Sequence, residues 1–160
     1  MPEVGYGCLD DLVIGHILGS GGFGTVYKAS YKGETVALKQ LHTNTKNKKA
    51  AMQSFRSETR PEVLKFNHPN IVRTLYVSHA ATIEDSPFLV MEYIENKTLQ
   101  HMLDDSEEII DDARRISMAL EIVSALDYIH QQNIAHLDLK PVNVLVTKKV
   151  IMKLLRYILL

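Results

Sequence analysis

The sequence predicts an α+β fold in which a five-stranded β-sheet with one helix precedes a helical region. Two observations predict this arrangement. β-Branched and aromatic residues are concentrated in short runs in the first part of the chain, and turn residues separate these runs. Apolar residues then recur at three- and four-residue steps over residues 111–132, which is the spacing of an amphipathic helix.

The five predicted strands span residues 11–18, 23–30, 35–41, 71–77 and 87–93. Residues 50–66, between the third and fourth strands, have the apolar spacing of a helix. Pro61 lies inside this segment and has no backbone N–H to donate, so we expect a kink or an early break there. The helix over residues 111–132 carries an apolar stripe of a kind that is usually buried in a core: Ile116, Leu120, Val123, Leu126 and Ile129.

The composition excludes several classes of protein. The chain has 160 residues, of which 46% are hydrophobic and 23% charged, a balance typical of a globular domain. Because the formal net charge is −1, we expect neither a nucleic-acid partner nor a membrane partner. The N-terminus has no signal-peptide pattern, and no apolar run approaches the roughly 20 residues that span a bilayer. A single cysteine, Cys8, fits a reducing compartment, so a cytoplasmic protein is expected.

Three glycines, Gly19, Gly21 and Gly24, form a G-x-G-x-x-G pattern between the first two predicted strands. Glycines let a backbone approach phosphate groups closely and direct its N–H groups towards them. Dinucleotide-binding folds share the pattern but need a helix next, whereas residues 25–29 have the β-branched and aromatic character of a strand. This motif alone is consistent with two interpretations, a phosphate-binding hairpin and an ordinary glycine-rich hairpin.

Lys39 closes the third predicted strand, directly after Val36, Ala37 and Leu38. A lysine at the end of a strand is usually just an exposed cation. One strand after a glycine loop, however, it is the residue type that pairs with nucleotide phosphates.

Residues 136–143, which read His-Leu-Asp-Leu-Lys-Pro-Val-Asn, are the most specific motif in the chain. Asp138 can accept the proton of an attacking hydroxyl, and Lys140 can neutralise a phosphoryl group during its transfer. Asn143 can bind a metal ion. The order of the three motifs therefore predicts phosphoryl-transfer chemistry.

These motifs resemble those of the protein kinases and, more narrowly, of the Mos family of Ser/Thr kinases. Residues 19–29 are similar to the Mos glycine loop, and Leu137 stands, as in Mos, where most kinases have arginine. Residues 91–93 and 96–99 resemble the Mos hinge and the segment after it. The resemblance covers residues 12–153 and implies the protein-kinase fold, with a complete five-stranded N-lobe, one helix and the start of a helical C-lobe.

The resemblance implies a site for ATP and Mg²⁺. The residues implied to contact the adenine are Leu18, Val26, Ala37, Met91, Glu92, Ile94 and Leu145. Those implied to cover the phosphates are Gly19, Ser20, Gly21, Gly22, Phe23, Gly24 and Thr25. Lys39 is implied to reach the phosphates, and Lys140 the γ-phosphate. Asp138 is the implied catalytic base, and Asn143 is the implied ligand of Mg²⁺.

The implied partner of Lys39 is Glu58, because residues 55–58 match the Mos helix. The spacing from Glu58 to residues 68–72 is longer than in the family, and Pro61 falls within this excess. Glu62 therefore stays open as the alternative partner, and a helix glutamate without a special role is a third interpretation.

The implied kinase domain occupies residues 12–160, after an N-terminal extension of residues 1–11. Its predicted parts are an N-lobe over residues 12–93, a hinge over 92–98, a partial C-lobe over 99–153 and an aberrant tail over 154–160. Residues 156–158 (Arg-Tyr-Ile) fall where the family has Asp-Phe-Gly, and an arginine cannot chelate Mg²⁺. We therefore expect a C-terminally truncated domain that does not catalyse independently and whose long helix leaves its apolar stripe exposed.

The resemblance implies a Ser/Thr protein kinase that acts in the MAP kinase cascade and in oocyte meiosis, with a MAP kinase kinase as substrate. The alternative is a truncated pseudokinase that binds ATP or a protein partner without phosphotransfer. Phosphate transfer that depends on Asp138 distinguishes the two functions.

Overall fold

The computed structural model describes residues 4–149 and 151–155, and the chain divides into two compact units. Unit 1 comprises the residues up to Lys65 together with Arg73–Tyr93. Unit 2 comprises Phe66–Val72 and the residues from Ile94 onwards. Residues 156–158, which were compared above with Asp-Phe-Gly, lie outside the described residues.

Unit 1 is built on a six-stranded sheet with the strand order β1-β5-β6-β4-β3-β2. Its strands are β1 (Gly5–Tyr6), β2 (Leu12–Ser20), β3 (Gly24–Tyr31), β4 (Glu34–Leu41), β5 (Thr74–Val77) and β6 (Phe88–Glu92). Strands β2 to β6 confirm the five predicted strands, although β5 begins later than expected. Strand β1 is an addition within the N-terminal extension, and it pairs in parallel with β5.

Side chains on β4 alternate between the two faces of the sheet, which decides where Lys39 lies. Val36 and Leu38 are buried in the core of unit 1, so Ala37 and Lys39 project from the opposite face. The other buried residues of this core are Leu12, Ala29, Tyr31, Phe88 and Val90. Because burying each large aliphatic side chain contributes about 1.5–3 kcal/mol, this core holds β4 firmly between β3 and β6.

The predicted helix over residues 50–66 is broken in two, as expected from its proline. Helix α1 (Lys48–Glu58) begins after Asn47, whose side chain accepts a hydrogen bond from the N–H of Ala50 at 3.0 Å. Helix α2 (Pro61–Leu64) has Pro61 in its first turn. A backbone N–H at this position would have no acceptor within the helix, so the proline costs no hydrogen bond there. Helix α1 consequently ends at Glu58, which is the implied partner of Lys39.

Unit 2 contains a three-stranded sheet, with the order β7-β8-β9, and two helices. These elements are β7 (Asn96–Thr98), α3 (Leu99–Asp104), α4 (Asp112–His130), β8 (Val144–Thr147) and β9 (Met152–Leu154). Helix α4 confirms the long predicted helix, and Asp111 caps it by accepting from the N–H of Arg114 at 2.7 Å. In the described part of the chain, no helix is long and apolar enough to cross a bilayer.

Helix α4 buries a different line of residues from the stripe that the sequence singles out. Ile116, Leu120 and Val123 are exposed, as expected for a stripe without cover. Met118, Ala125 and Ile129 are buried instead, and α4 packs against β9. Only Ile129 belongs to both lines, so the stripe as a whole is not the core-facing surface of this helix.

Asn70 is a buried residue that joins three parts of unit 2. Its Nδ2 donates to the carbonyl of Met152 at 2.9 Å and to Oε2 of Glu121 at 3.1 Å. The N–H of Met152 donates to the same glutamate oxygen at 2.8 Å, and the N–H of Leu154 donates to the carbonyl of Asn70 at 2.8 Å. The segment before β5 is thereby tied to α4 and β9.

Asn70→Ala is expected to lower the free energy of unfolding by about 2 kcal/mol, because it leaves a buried carbonyl without its donor and a glutamate oxygen with one donor fewer. Urea denaturation followed by circular dichroism measures the change. Asn44→Ala, at an exposed asparagine of unit 1, is the control and is expected to change the unfolding free energy by less than about 0.5 kcal/mol. Equal effects of the two substitutions would show that the Asn70 contacts contribute nothing.

Candidate active site

The glycine loop connects β2 to β3 in unit 1. Ser20 and Thr25 face each other as the last pair of the two strands, and the N–H of Gly21 donates to the carbonyl of Gly24 at 2.9 Å. A Cβ on Gly24 would lie 2.5 Å from the carbonyl oxygen of Gln40, so packing against β4 excludes any side chain there.

The other glycines of the loop have no such packing reason. A Cβ placed on Gly19, Gly21 or Gly22 would meet nothing within 4 Å. An ordinary tight hairpin therefore does not demand glycine at these three positions. Open space beside the backbone is instead what the approach of a ligand's phosphate groups requires.

The residues of unit 1 that were predicted to contact adenine lie on neighbouring strands. Gly19 is paired with Val26, and Ala37 with Met91. Each of the strands β2, β3, β4 and β6 therefore carries at least one of the residues predicted to contact adenine. The N–H of Glu92 donates to the carbonyl of Arg73 at 2.9 Å, so a contact of Glu92 with a base has to use its carbonyl. The remaining predicted adenine contacts, Ile94 and the half-buried Leu145 of β8, belong to unit 2.

Lys39 forms an ion pair with Glu58 inside unit 1. Its Nζ donates to Oε1 at 2.6 Å and to Oε2 at 2.7 Å, and the side chains expose only 12% and 5% of their surfaces. Ser54, one turn earlier on α1, donates its hydroxyl to Oε1 of Glu58 at 3.1 Å. Glu62 is exposed, and its carboxylate lies 3.6 Å from Nε of Arg60. The structure thus pairs Lys39 with Glu58 and not with Glu62.

Three polar residues of the predicted catalytic loop contact one another in unit 2. A short 3₁₀ helix, Pro141–Asn143, turns the chain so that Asn143 is buried and directed towards Asp138. The Nδ2 of Asn143 donates to the carbonyl oxygen of Asp138 at 2.8 Å and to its Oδ2 at 2.9 Å. The Nζ of Lys140 lies 2.9 Å from Oδ1 of Asp138.

These contacts keep the side chain of Asp138 ionised. The hydrogen bond from Lys140 is the largest cause that holds the pKa of this carboxyl below its ordinary value of 3.8. Partial burial acts in the opposite direction, and the amide of Asn143 adds to the lowering. A carboxylate that is negative throughout the neutral range is ready to accept a proton.

His136 fixes the end of β9 against the catalytic loop. Its Nε2 donates to the carbonyl of Leu155 at 2.7 Å, while the N–H of Leu155 donates to the carbonyl of Asn143 at 2.9 Å. Among the described residues, Nδ1 of His136 has no hydrogen-bond partner although it is buried. Because a carbonyl oxygen can only accept, Nε2 carries the proton of this hydrogen bond.

The donor atoms near Asn143 suit a hard cation such as Mg²⁺. Both contacts of the Asn143 amide use Nδ2, so Oδ1 is the atom that can act as a ligand. Amide and carboxylate oxygens are ligands that Mg²⁺ accepts, commonly together with substrate phosphates and water. In residues 4–149 and 151–155, including this loop, no group of three or more His, Cys, Asp or Glu side chains is placed to hold a metal ion.

Ser54 is a contact of the site that no motif in the sequence points to. It lies four residues before Glu58 on α1, so the two side chains share one face of the helix. This spacing is the signal that predicts the contact, once the helix register is known.

Comparison with known proteins agrees with the chemistry of these residues. Residues 12–157 match the family model of the protein kinase domain. The chain therefore belongs to the protein kinase domain family, and its mixed α and β structure is that of this family's fold.

Relatives within the family are serine/threonine-protein kinases named mos. The chain is 40% identical over 136 residues to the protein of Patiria pectinifera, an alignment that covers 85% of this chain and 38% of the relative. It is 39% identical over 156 residues to the protein of Gallus gallus, with 87% and 44% coverage. It is 36% identical over 154 residues to the protein of Apteryx australis, with 86% and 76% coverage. The chain thus spans about two fifths of the length of the first two relatives.

Proposed function

We propose that this chain is part of a Mos-type serine/threonine protein kinase, which transfers the γ-phosphoryl group of ATP to a hydroxyl group of a protein. The observation that carries the proposal is the buried ion pair between Lys39 and Glu58. In protein kinases the lysine must be held by a helix glutamate before it can position the nucleotide phosphates. The names of the relatives, and the contacts of Asp138, support the same function.

Unit 1 supplies the groups that bind the nucleotide in this proposal. Backbone N–H groups of the glycine loop and the ammonium of Lys39 stabilise the negative charge of the phosphates. The apolar residues named for the adenine, Val26 and Ala37 among them, provide a surface on which the base can pack.

Unit 2 supplies the groups that act on the protein hydroxyl. Asp138 accepts the proton at one of its carboxylate oxygens as the hydroxyl attacks the γ-phosphorus, and the bond from that phosphorus to the bridging oxygen breaks to release ADP. Lys140 stabilises charge on the phosphoryl group during the transfer, as well as holding Asp138 in place. Asn143 would hold Mg²⁺ through Oδ1, and the ion, when bound, neutralises charge on the ATP phosphates.

The substrate and the setting of the reaction follow from the similarity to Mos. We propose a MAP kinase kinase as the protein substrate, with a role in the MAP kinase cascade and in oocyte meiosis. Leu137 occupies the position of the arginine that, in many kinases, binds a phosphate on the activation loop. Activity should therefore not depend on that particular phosphate contact.

A phosphotransfer assay tests the proposal. The purified whole kinase, of which this chain is proposed to be a part, is incubated with γ-labelled ATP, Mg²⁺ and a MAP kinase kinase whose own catalytic lysine has been replaced. We expect label on serine or threonine, and its complete loss when EDTA removes the metal. If the protein binds ATP, as shown by a thermal shift, but labels no serine or threonine in any protein offered, the kinase proposal is wrong.

A further inference from the structure

A chain of hydrogen bonds joins the end of β4 to the glycine loop in unit 1. The Nε2 of His42 lies 2.8 Å from Oγ1 of Thr25, which in turn lies 3.0 Å from Oγ of Ser20. The backbone N–H of His42 also donates to the carbonyl of Phe23 at 2.8 Å. His42 consequently contacts the loop through both its ring and its backbone.

These hydrogen bonds lie at the two ends of the glycine loop, where they can restrict its conformation. Ser20 and Thr25 are the facing residues from which the loop leaves β2 and re-enters β3. The hydroxyl of Thr25 is shared between the other two groups, and Thr25 itself is buried, whereas Ser20 is exposed and His42 is half-buried. Both strands that lead into the loop are thereby attached to the residue that follows β4, the strand that carries Lys39.

Nothing in the chemistry of phosphate binding assigns a role to a histidine at this place. A glycine-rich loop has many accessible conformations, and fixing one of them on binding costs conformational entropy. A loop already held in the binding conformation avoids part of that cost, so the ligand binds more tightly. Gly24 limits the loop from the other side, because it lies directly against the carbonyl of Gln40.

We infer that His42 is a positioning residue for the ATP phosphates, which acts through Thr25 and Ser20 to hold the glycine loop in place before ATP binds. This inference rests on the proposed function, because it takes ATP as the ligand of the loop. His42 does not contact the phosphates in this role. Its ring and backbone set the shape of the loop whose N–H groups do.

Two measurements on His42→Leu test the inference. In the protein without nucleotide, hydrogen exchange at the amide of Gly21, which donates to the carbonyl of Gly24, should become about fivefold faster, because one hydrogen bond of ordinary net strength is lost. The dissociation constant for ATP, from isothermal titration calorimetry, should rise about fivefold for the same reason. His42→Gln, which keeps a side chain able to donate or accept, should recover part of both effects. Thr43→Val, at the exposed neighbouring residue, should change neither.

A double-mutant cycle separates the chain of hydrogen bonds from a general disturbance. Thr25→Val removes the shared hydroxyl, so adding His42→Leu to it should weaken ATP binding no further. Additive effects of the two substitutions, or unchanged exchange and affinity in His42→Leu, would overturn the inference while leaving the kinase proposal intact. If the wild-type protein binds no ATP at all, the proposed function fails, and the positioning role fails with it.

Discussion

Replacing Lys39 with methionine is expected to lower the free energy of unfolding by about 3 kcal/mol and to weaken ATP binding strongly. The reason is that the carboxylate of Glu58, only 5% exposed, accepts hydrogen bonds from Nζ of Lys39 through both oxygens. Removing one partner of a buried ion pair leaves the other charge in a poorly solvated place, which costs about 3–5 kcal/mol. The hydroxyl of Ser54 still donates to one oxygen, so we expect the lower end of that range.

The matched control is an ion pair of the same charges at the surface of the same unit. Lys48 and Glu84 lie 2.7 Å apart, but their side chains are 53% and 64% exposed. Lys48→Met should therefore change the unfolding free energy far less than Lys39→Met does, since water solvates the glutamate that remains. Urea denaturation of both variants at neutral pH measures the difference.

A second variant distinguishes the loss of a charge partner from the loss of packing. Lys39→Met combined with Glu58→Leu leaves no charge in the buried position, so it should be more stable than Lys39→Met alone. A double variant that is no more stable than the single variant would contradict the electrostatic explanation. ATP binding should stay weak in both variants, because each lacks the ammonium proposed to contact the phosphates.

The sequence could identify the residues of the catalytic loop as a group more securely than it could identify the partner of Lys39, because of distance along the chain. Asp138, Lys140 and Asn143 lie within six residues, and a single short 3₁₀ turn suffices to bring them together. Lys39 and Glu58 come from a strand and a helix, so their pairing depends on where α1 ends. A proline predicts a break but not the residue before it at which the helix stops, which left both glutamates open.

The buried face of α4 could not be predicted from periodicity, for a different reason. Apolar residues occur on several sides of this helix, including Met118 and Ala125 beside the predicted stripe. The 3.6-residue period then fits more than one face, and the choice depends on what packs there. Strand β9 packs against α4, and the N–H of Met152 donates to Glu121 on this helix; such contacts are tertiary information.

Strand β1 also could not be predicted from a sequence pattern, because it is very short. Two residues, Gly5 and Tyr6, are too few for any alternation of apolar and polar side chains to be recognised. The strand is held by its pairing with β5 and by the stacking of Tyr6 on His79, whose ring centroids lie 3.6 Å apart. The residues in these contacts are far apart in the sequence, so no local pattern predicts them.

Asp138→Asn is expected to lower kcat for protein phosphorylation by about 10²–10⁴-fold, the usual contribution of a general base, with little change in stability. The amide of asparagine can still accept a hydrogen bond from Asn143, so the loop keeps its main internal contact. The lost ion pair with Lys140 joins side chains that are 39% and 51% exposed, and such pairs contribute at most about 1 kcal/mol. Steady-state kinetics and thermal unfolding measure the two quantities. A kcat close to that of the wild type would show that Asp138 is not the base.

The dependence of kcat/KM on pH, which reports the ionisation of groups in the free enzyme, gives an independent check on the same residue. Lys140 is the main cause of the low pKa of Asp138, so the acid limb of the wild-type profile should lie below the ordinary value of 3.8 if this group is the base. Lys140→Met removes that hydrogen bond and charge, and therefore should move the acid limb to higher pH as well as lower the maximum rate. The direction follows because a carboxylate without its cation binds a proton more readily, so the base is lost earlier as the pH falls. A reduced rate with an unmoved acid limb would assign Lys140 to the phosphate alone and would separate the ionisation of Asp138 from catalysis.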